Sequence, residues 1–387
     1  MKGIFCWIFF LIAICGIAIQ PLVDSEPNTS CSTPVVCGDE QISQYLPMLK
    51  NRRVAIVANH TAMINGVHLV DTLLRLQVQV VKVFAPEHGF RGSVPAGEKI
   101  NHEIDVKTGL EIVSLYGKHE APDSIDLANV DVVLFDIQDV GARFYTYLTT
   151  MKYVMESCNR LNKRMIILDR PNPNGYYMDG PLLDMQFSSM VGALPIPIVH
   201  GCTLGELSKM IIGEKWISGK IDASLFHVIP CLNYTHNMVY SVPIPPSPNL
   251  ASDCAIMCYP SLCLFEGTNV SVGRGTDSPF TCYGFPGMKH GNFKFKPKTI
   301  AGKVNHPLYE GKVCKGLDLR DQCGTRSSAL NLSFLIAVYK EKGVSMFSSP
   351  SFFDKLAGTD QLRKDICSGK SEKEIKEKWK LGLEKYS

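Results

Sequence analysis

Several short stretches place acids, histidines and arginines directly after apolar runs: Asn59-His60, Glu87-His88, Asp136 with Gln138 and Asp139, then Arg143, Asp169-Arg170 and His200. In an open parallel α/β sheet the ligand sits outside the carboxyl ends of the strands, so such positions converge on one rim. Several carboxylates at one rim suit glycoside hydrolysis, where one group protonates the leaving oxygen and another activates water or attacks the anomeric carbon. The same residue types also serve metal binding, phosphate-ester chemistry, or the capping of a following helix. His60, His88 and His200 share no metal-motif spacing on a helix, so no metal site is expected from them. Arg143 and Arg170 lie among Phe144, Tyr145 and Tyr147. A planar guanidinium there can hold a ligand carboxylate by its fork, or serve an internal ion pair. Gly273-Arg274-Gly275-Thr276 lacks the Gly-Lys-Ser/Thr ending of a phosphate loop, no G-x-G-x-x-G follows the first strand, and there is no G-x-S-x-G elbow. Nucleotide binding and serine hydrolysis are therefore disfavoured.

The elements that must position these residues follow from periodicity. Val54–Val57, Val78–Phe84, Ile112–Leu115, Val130–Phe135 and Met165–Leu168 are short apolar, mostly β-branched runs, and amphipathic stretches such as Val67–Leu76, Tyr147–Leu161 and Leu204–Ile212 lie between or after them. That alternation predicts a parallel α/β sheet. Ile196–Val199 is read as a final edge strand despite Pro195 and Pro197. The proline-dense stretch Ser241–Pro248 is incompatible with helix or central strand and predicts a subdomain boundary. Beyond it come a glycine-rich segment, a helix over Leu330–Lys342, and a last helix capped by Ser371 and Glu374, with Ile375, Trp379 and Leu383 as its apolar stripe. The expected organisation is a signal at 1–20, a leader at 21–45, a Rossmann-like catalytic domain at 46–240 and a smaller C-terminal α/β auxiliary domain at 241–387.

Composition bounds the partners. The chain has 387 residues, 45% of them hydrophobic, and Lys+Arg 40 against Asp+Glu 37 gives a net charge of +3. Such a balance makes no electrostatic claim on nucleic acid, and the sequence carries no signal of oligomeric state. Lys2 followed by the apolar run Gly3–Ile19 and a polar segment reads as a secretory signal, with export to the cell envelope or beyond; an uncleaved membrane anchor, or a lipid on Cys15, are the lesser readings. Of the 14 cysteines, Cys6 and Cys15 lie in that segment. The remainder would meet an oxidising compartment, where some disulfides are expected. Cys254, Cys258 and Cys263 cluster, but without a C-x₂-C pair or a nearby histidine they make a weak zinc motif. Asn-x-Ser/Thr triplets begin at Asn28, Asn59, Asn233, Asn269 and Asn331.

Longer motifs are specific. Phe84-Ala85-Pro86-Glu87-His88-Gly89-Phe90-Arg91-Gly92 and Asp136-Ile137-Gln138-Asp139-Val140-Gly141-Ala142-Arg143-Phe144-Tyr145-Thr146-Tyr147 resemble segments of the exo-β-N-acetylmuramidase NamZ family. Asp169–Gly175, His200–Leu207, Pro246–Asn249, Phe265-Glu266-Gly267-Thr268-Asn269 and Gly273–Thr276 agree in family order. The resemblance implies a secreted or envelope hydrolase that removes N-acetylmuramic acid from the non-reducing end of peptidoglycan fragments. It implies a Rossmann-like domain plus a smaller one, with the site in a cleft between them. It makes Glu87 the catalytic glutamate. The chemistry then needs a second group, expected at Asp136 or Asp139, to orient water or stabilise the oxocarbenium-like transition state. Arg91, Arg143, Arg170 or Arg274 would bind the lactyl carboxylate, and His88, Gln138, Tyr145, His200 and Glu266 would line the sugar pocket. No cofactor is required by this chemistry. The rival within the same fold is a catalytically silent amino-sugar-binding protein. The sequence departs from the family at Cys202, where many members carry Met, and at Val272, where some carry Glu, and it ends slightly short of the usual family end.

Overall fold

The chain alternates strand and helix because its β-branched runs are short and separated by amphipathic segments. The computed structural model describes residues 33–91, 103–323 and 328–387; the expected secretory segment lies outside them. Within them, Val35–Ser387 form one compact unit. In chain order come α1 (Ile42–Leu49), β1 (Arg53–Ala58), the small hairpin β2 (Met63–Ile64) and β3 (Val67–His68), α2 (Leu69–Arg75), β4 (Gln79–Ala85), β5 (Glu103–Ile104), β6 (Glu111–Ser114) and β7 (Val132–Asp136). Then follow α3 (Tyr147–Arg160), β8 (Arg164–Leu168), α4 (Leu204–Gly213), β9 (Phe226–Ile229) and α5 (Asp253–Leu262). The remainder holds β10 (Cys282–Phe285), β11 (Phe293–Phe295), β12 (Cys314–Asp318), α6 (Ser333–Lys342), α7 (Pro350–Ala357), α8 (Gln361–Cys367), α9 (Glu372–Glu377) and α10 (Lys380–Tyr386).

Seven strands make one sheet in the order β5-β6-β4-β1-β7-β8-β9. All pairings are parallel except β5 with β6. From β1 the chain first builds outward through β4 and β6, then returns to the other side of β1 with β7. That reversal opens a crevice over the carboxyl end of β1, the place where such sheets bind ligands.

The strands are apolar on both faces because both faces are covered. Ala55 and Val57 of β1, Val133 and Phe135 of β7, and Met165 and Ile167 of β8 join the core that includes Met151 and Val154 of α3 and Leu207 and Ile211 of α4. Their alternates, Val54, Ile56, Val132, Leu134, Ile166 and Leu168, pack with Tyr45 and Leu49 of α1 and Leu73 of α2. The first of these cores continues without a break into the C-terminal elements, through Leu262, Phe265, Tyr283, Leu335 and Phe353. Three antiparallel strands, β10-β12-β11, lie there. The helix expected at the C-terminus is divided into α9 and α10; Ile375 and Trp379 are buried, and the Ser371/Glu374 capping box forms.

One strand is misplaced by the sequence reading. Ile196–Val199 is not a ladder strand: Val199 makes only isolated bridges to Ala142 and Asp179. Prolines at 195 and 197 remove two of the N–H donors that a ladder needs. The edge beside β8 is taken instead by Phe226–Ile229.

Candidate active site

Beyond β4 the chain turns sharply. His88 and Gly89 both have positive φ, +70° and +79°. A non-glycine residue in that region is held there by its surroundings, and such positions concentrate at functional sites. The turn sets Glu87 at the mouth of a cavity of about 150 Å³ that it shares with His88, Tyr145, Glu266 and Arg274. Thr146 Oγ1 donates to Glu87 Oε2 at 2.9 Å, and the Tyr147 hydroxyl donates to the Glu87 backbone carbonyl at 3.3 Å. Tyr116 stands against the same carboxylate; its phenol is pushed up by burial and then by the Glu87 charge. The walls are Phe144, Tyr145, Tyr259, Phe280, Phe352 and Leu356. Tyr259 packs edge-on against Phe144, Tyr145 and Phe280, so the aromatic lining is a single interlocked set.

The far side belongs to the C-terminal half. Arg274 Nε donates to Glu266 Oε1 at 2.6 Å, the Cys263 thiol lies 3.6 Å from Glu266 Oε2, and the guanidinium covers the Phe280 ring at 4.9 Å. The side chains of Arg274 and Glu266 keep about a quarter of their surface, 25% and 24%. Among the described residues, no group bonds the two terminal nitrogens of Arg274. Gly273 and Gly275, at φ +77° and +81°, allow the tight turn that presents this arginine. A cβ on Gly273 would also meet the Ser278 carbonyl at 2.5 Å.

The loop joining the halves closes the floor. Pro246 accepts from the Tyr145 and Tyr147 hydroxyls at 2.9 and 3.2 Å, and the Pro245 carbonyl lies 2.8 Å from His60 Nε2. Ser247 and Leu250 of that loop face the cavity.

The other expected site residues lie elsewhere. Asp136, 0% exposed, is held bidentately by Arg170, whose Nε and Nη2 reach Oδ1 and Oδ2 at 2.6 and 3.0 Å; the same Nη2 binds Asp39 Oδ2 at 2.7 Å. That cluster is a buried structural ion pair, so Asp136 is not placed to orient water and Arg170 has no fork to offer a ligand. Burial and the Asp136 charge push Asp39 up, against the pull of Arg170. Arg143 is fully buried and donates to four backbone carbonyls, those of Pro181, Ile196, Leu356 and Ala357. With no carboxylate beside it, desolvation lowers its pKa to about 9. It ties two loops and the C-terminal end of α7 together rather than entering the cavity. Arg91 clasps Asp105 at 2.9 and 2.7 Å, in a separate surface pocket with His68, Asp71 and Lys107.

Gln138 spends its amide N–H groups on the carbonyls of Asp139 and Pro171. Asp139 accepts from the Gly141 N–H at 2.7 Å and faces His200 Nε2 at 3.6 Å. His200 accepts from the Cys202 N–H through Nδ1, so its proton sits on Nε2, toward Asp139. This pair lies under the rim and is not among the cavity residues. Asp169 accepts from Thr203 Oγ1 and the Gly205 N–H at the start of α4, the capping role open to any acid at a strand end. Residues missed by sequence reasoning are Tyr116, Thr146, Ser247, Tyr259 and Phe280; Thr146 stood inside a quoted motif, whereas Tyr116 and Tyr259 had no spacing signal. Three acid, histidine or cysteine groups among the described residues have metal-binding proximity, and none of their members lines the cavity.

Comparison with known proteins agrees along most of the chain. The N-terminal and C-terminal family models of exo-β-N-acetylmuramidase NamZ match residues 54–253 and 257–387. The peptidoglycan β-N-acetylmuramidase NamZ of Bacillus subtilis (strain 168) is 34% identical over 386 residues, covering 94% of this chain and 92% of its own. Two crystal structures of DUF1343 family proteins from Bacteroides fragilis NCTC 9343 superpose with TM-scores of 0.81 and 0.78. They are 46% and 26% identical, cover 92% and 91% of this chain, and are each covered to 96%. A cavity built from both halves, with the glutamate of the Pro-Glu-His-Gly turn on one side and the Gly-Arg-Gly arginine on the other, is thus carried by a chain that belongs to the exo-β-N-acetylmuramidase NamZ family.

Proposed function

We propose that the protein is an exo-acting glycoside hydrolase that releases N-acetylmuramic acid from the non-reducing end of peptidoglycan fragments. The observation that carries this reading is the pairing, in one small cavity, of the Glu87 carboxyl with an arginine whose outer nitrogens are open. Muramic acid differs from glucosamine by a lactyl carboxylate, and a guanidinium fork is the complement of a carboxylate. Glu87 protonates the glycosidic oxygen as the C1–O bond breaks, with Thr146 fixing one of its oxygens. The Glu266 carboxylate, steadied by Arg274 Nε and the Cys263 thiol, supplies negative charge as C1 becomes cationic. Water then adds at C1 to give the free sugar. A cavity of about 150 Å³ suits a terminal residue rather than a threaded polymer, which favours exo action.

The test compares a β-muramic acid glycoside with its glucosamine analogue on the wild type and Glu87→Gln. Release of N-acetylmuramic acid by the wild type, at least about 100-fold slower in Glu87→Gln and much weaker on the analogue, is expected. Sugar binding without release would favour the silent binding protein instead. Equal cleavage of the analogue would remove the arginine argument. The apolar segment at 1–20 acts in this reading as a secretory signal, which N-terminal sequencing of the exported protein checks.

A further inference from the structure

α5 carries Cys254 in its first turn and Cys258 one turn later, four residues apart and therefore on one face of the helix. Facing them, just after β12, is Cys323. Cys254 and Cys323 form a disulfide. The Cys258 sulfur lies 3.8 Å from the Cys323 sulfur and carries no bond of its own. All three sulfurs fall within 4.8 Å of one another. A separate cavity of about 120 Å³, lined by Tyr176, Tyr240, Asp253, Cys254, Met257 and Cys323, opens onto the bridge. The glycosidase reading uses none of these groups.

We propose that Cys323 is shared between two disulfides, Cys254–Cys323 and Cys258–Cys323, interconverted by intramolecular thiol–disulfide exchange. The Cys258 thiolate attacks the Cys323 sulfur; the new Cys258–Cys323 bond forms as the Cys254–Cys323 bond breaks, and Cys254 leaves as a thiolate that takes up the proton Cys258 gave to water. No net oxidation occurs, so no external oxidant is required. The exchange moves the covalent anchor of α5 by one helical turn, to the residue next to Tyr259, whose ring walls the active-site cavity. Burial pushes the Cys258 thiol up to about 11. Since the thiolate is the nucleophile, exchange is slow at neutral pH and accelerates about tenfold per pH unit below that value.

Met257 makes the two bridges separable, because cyanogen bromide cleaves after it and parts Cys254 from Cys258. Wild-type protein held at pH 6 or pH 9, acid-quenched, alkylated without reduction, cleaved and mapped by mass spectrometry is expected to give mainly the Cys254–Cys323 linkage at pH 6. Cys258–Cys323 should appear at pH 9 at a rate raised by about 1,000-fold. Only Cys254–Cys323 after prolonged incubation at pH 9 would overturn the proposal. A second arm uses Cys254→Ser refolded with oxidised glutathione as the disulfide donor. Cys323 linked to Cys258 is expected there, and Cys323 recovered as an alkylated free thiol in a variant with native circular dichroism would overturn it independently.

Discussion

Two arginine–carboxylate clusters in this fold do opposite things. Arg170 is enclosed between Asp136 and Asp39 and spends Nε and Nη2 on them. Arg274 touches Glu266 through Nε alone, lines a cavity, and has no partner for its outer nitrogens among the described residues. Both arginines stand in long motifs. What separates them is how many donors the fold consumes: a guanidinium whose carboxylates are already supplied holds the rim in place, and one left half-paired can receive a substrate. Arg143 is a third case, its two terminal nitrogens spent on backbone carbonyls so that chain segments are fixed without any countercharge.

Substitutions can break that distinction, and the largest effect is expected in the cavity. Glu87→Gln should lower turnover by roughly 10²- to 10⁴-fold, the usual worth of a general acid, with an unchanged denaturation midpoint. Arg170→Met should do the reverse. Two carboxylates, Asp136 and Asp39, would be left buried without their cation, at a cost of about 3–5 kcal/mol, measured as a lower urea midpoint. An Arg170→Met protein as stable as the wild type would dissolve the contrast between the clusters. Arg274→Gln keeps a donor for Glu266 but offers no fork. It should lose about 1.5–3 kcal/mol in kcat/KM, roughly 10- to 100-fold, on the lactyl-bearing substrate and little on its analogue.

The smallest effect concerns Arg91 and Asp105, a pair whose arginine is partly exposed and whose carboxylate is buried. The Arg91 hydrogen bonds bring Asp105 from the ordinary 3.8 to about 2. A carboxylate whose pKa is depressed by folding stabilises the protein above its unfolded pKa and loses that contribution as pH falls through the folded one. Asp105→Asn should therefore be less stable than the wild type by about 1 kcal/mol at pH 5, since Arg91 is partly exposed, and the gap should close as pH falls from about 4 to 2. A gap that persists at pH 2 would assign the effect to packing.

Much of the sheet was legible because its signals are local. β-branched runs, strand-end polar residues and the Ser371/Glu374 capping box are each contained in a few neighbouring positions, and β1, β4, β6, β7 and β8 fall where the apolar runs predict. Partnership was not legible. Asp39, which completes the Arg170 cluster, lies 131 positions away, and Arg143 finds two of its acceptors more than 200 positions downstream. Nothing in the residue type separates a carboxylate that will be enclosed from one that will face a cavity. For the same reason the sequence points to Asp136 or Asp139 as the second acid and leaves Glu266 as a pocket-lining residue, although Glu266, beyond the proline-rich stretch, is the one that tertiary packing brings to the cavity of Glu87. The edge strand failed for a different reason: apolar content outweighed proline in the reading, while the ladder depends on N–H groups that proline lacks.

The strap at Pro245 and Pro246 has a consequence for how such chains diversify. The Pro246 carbonyl is the acceptor for the hydroxyls of both Tyr145 and Tyr147, so aromatic residues from one half of the gene are satisfied by backbone from the junction, and the cavity wall is finished by residues encoded after it. Recombination at that junction would deliver two pieces that are each missing part of the site, and an exchanged C-terminal half would have to fit phenols it did not evolve beside. The two halves are thus inherited most safely as a single unit, and specificity is free to drift mainly where the cavity is lined by side chains alone.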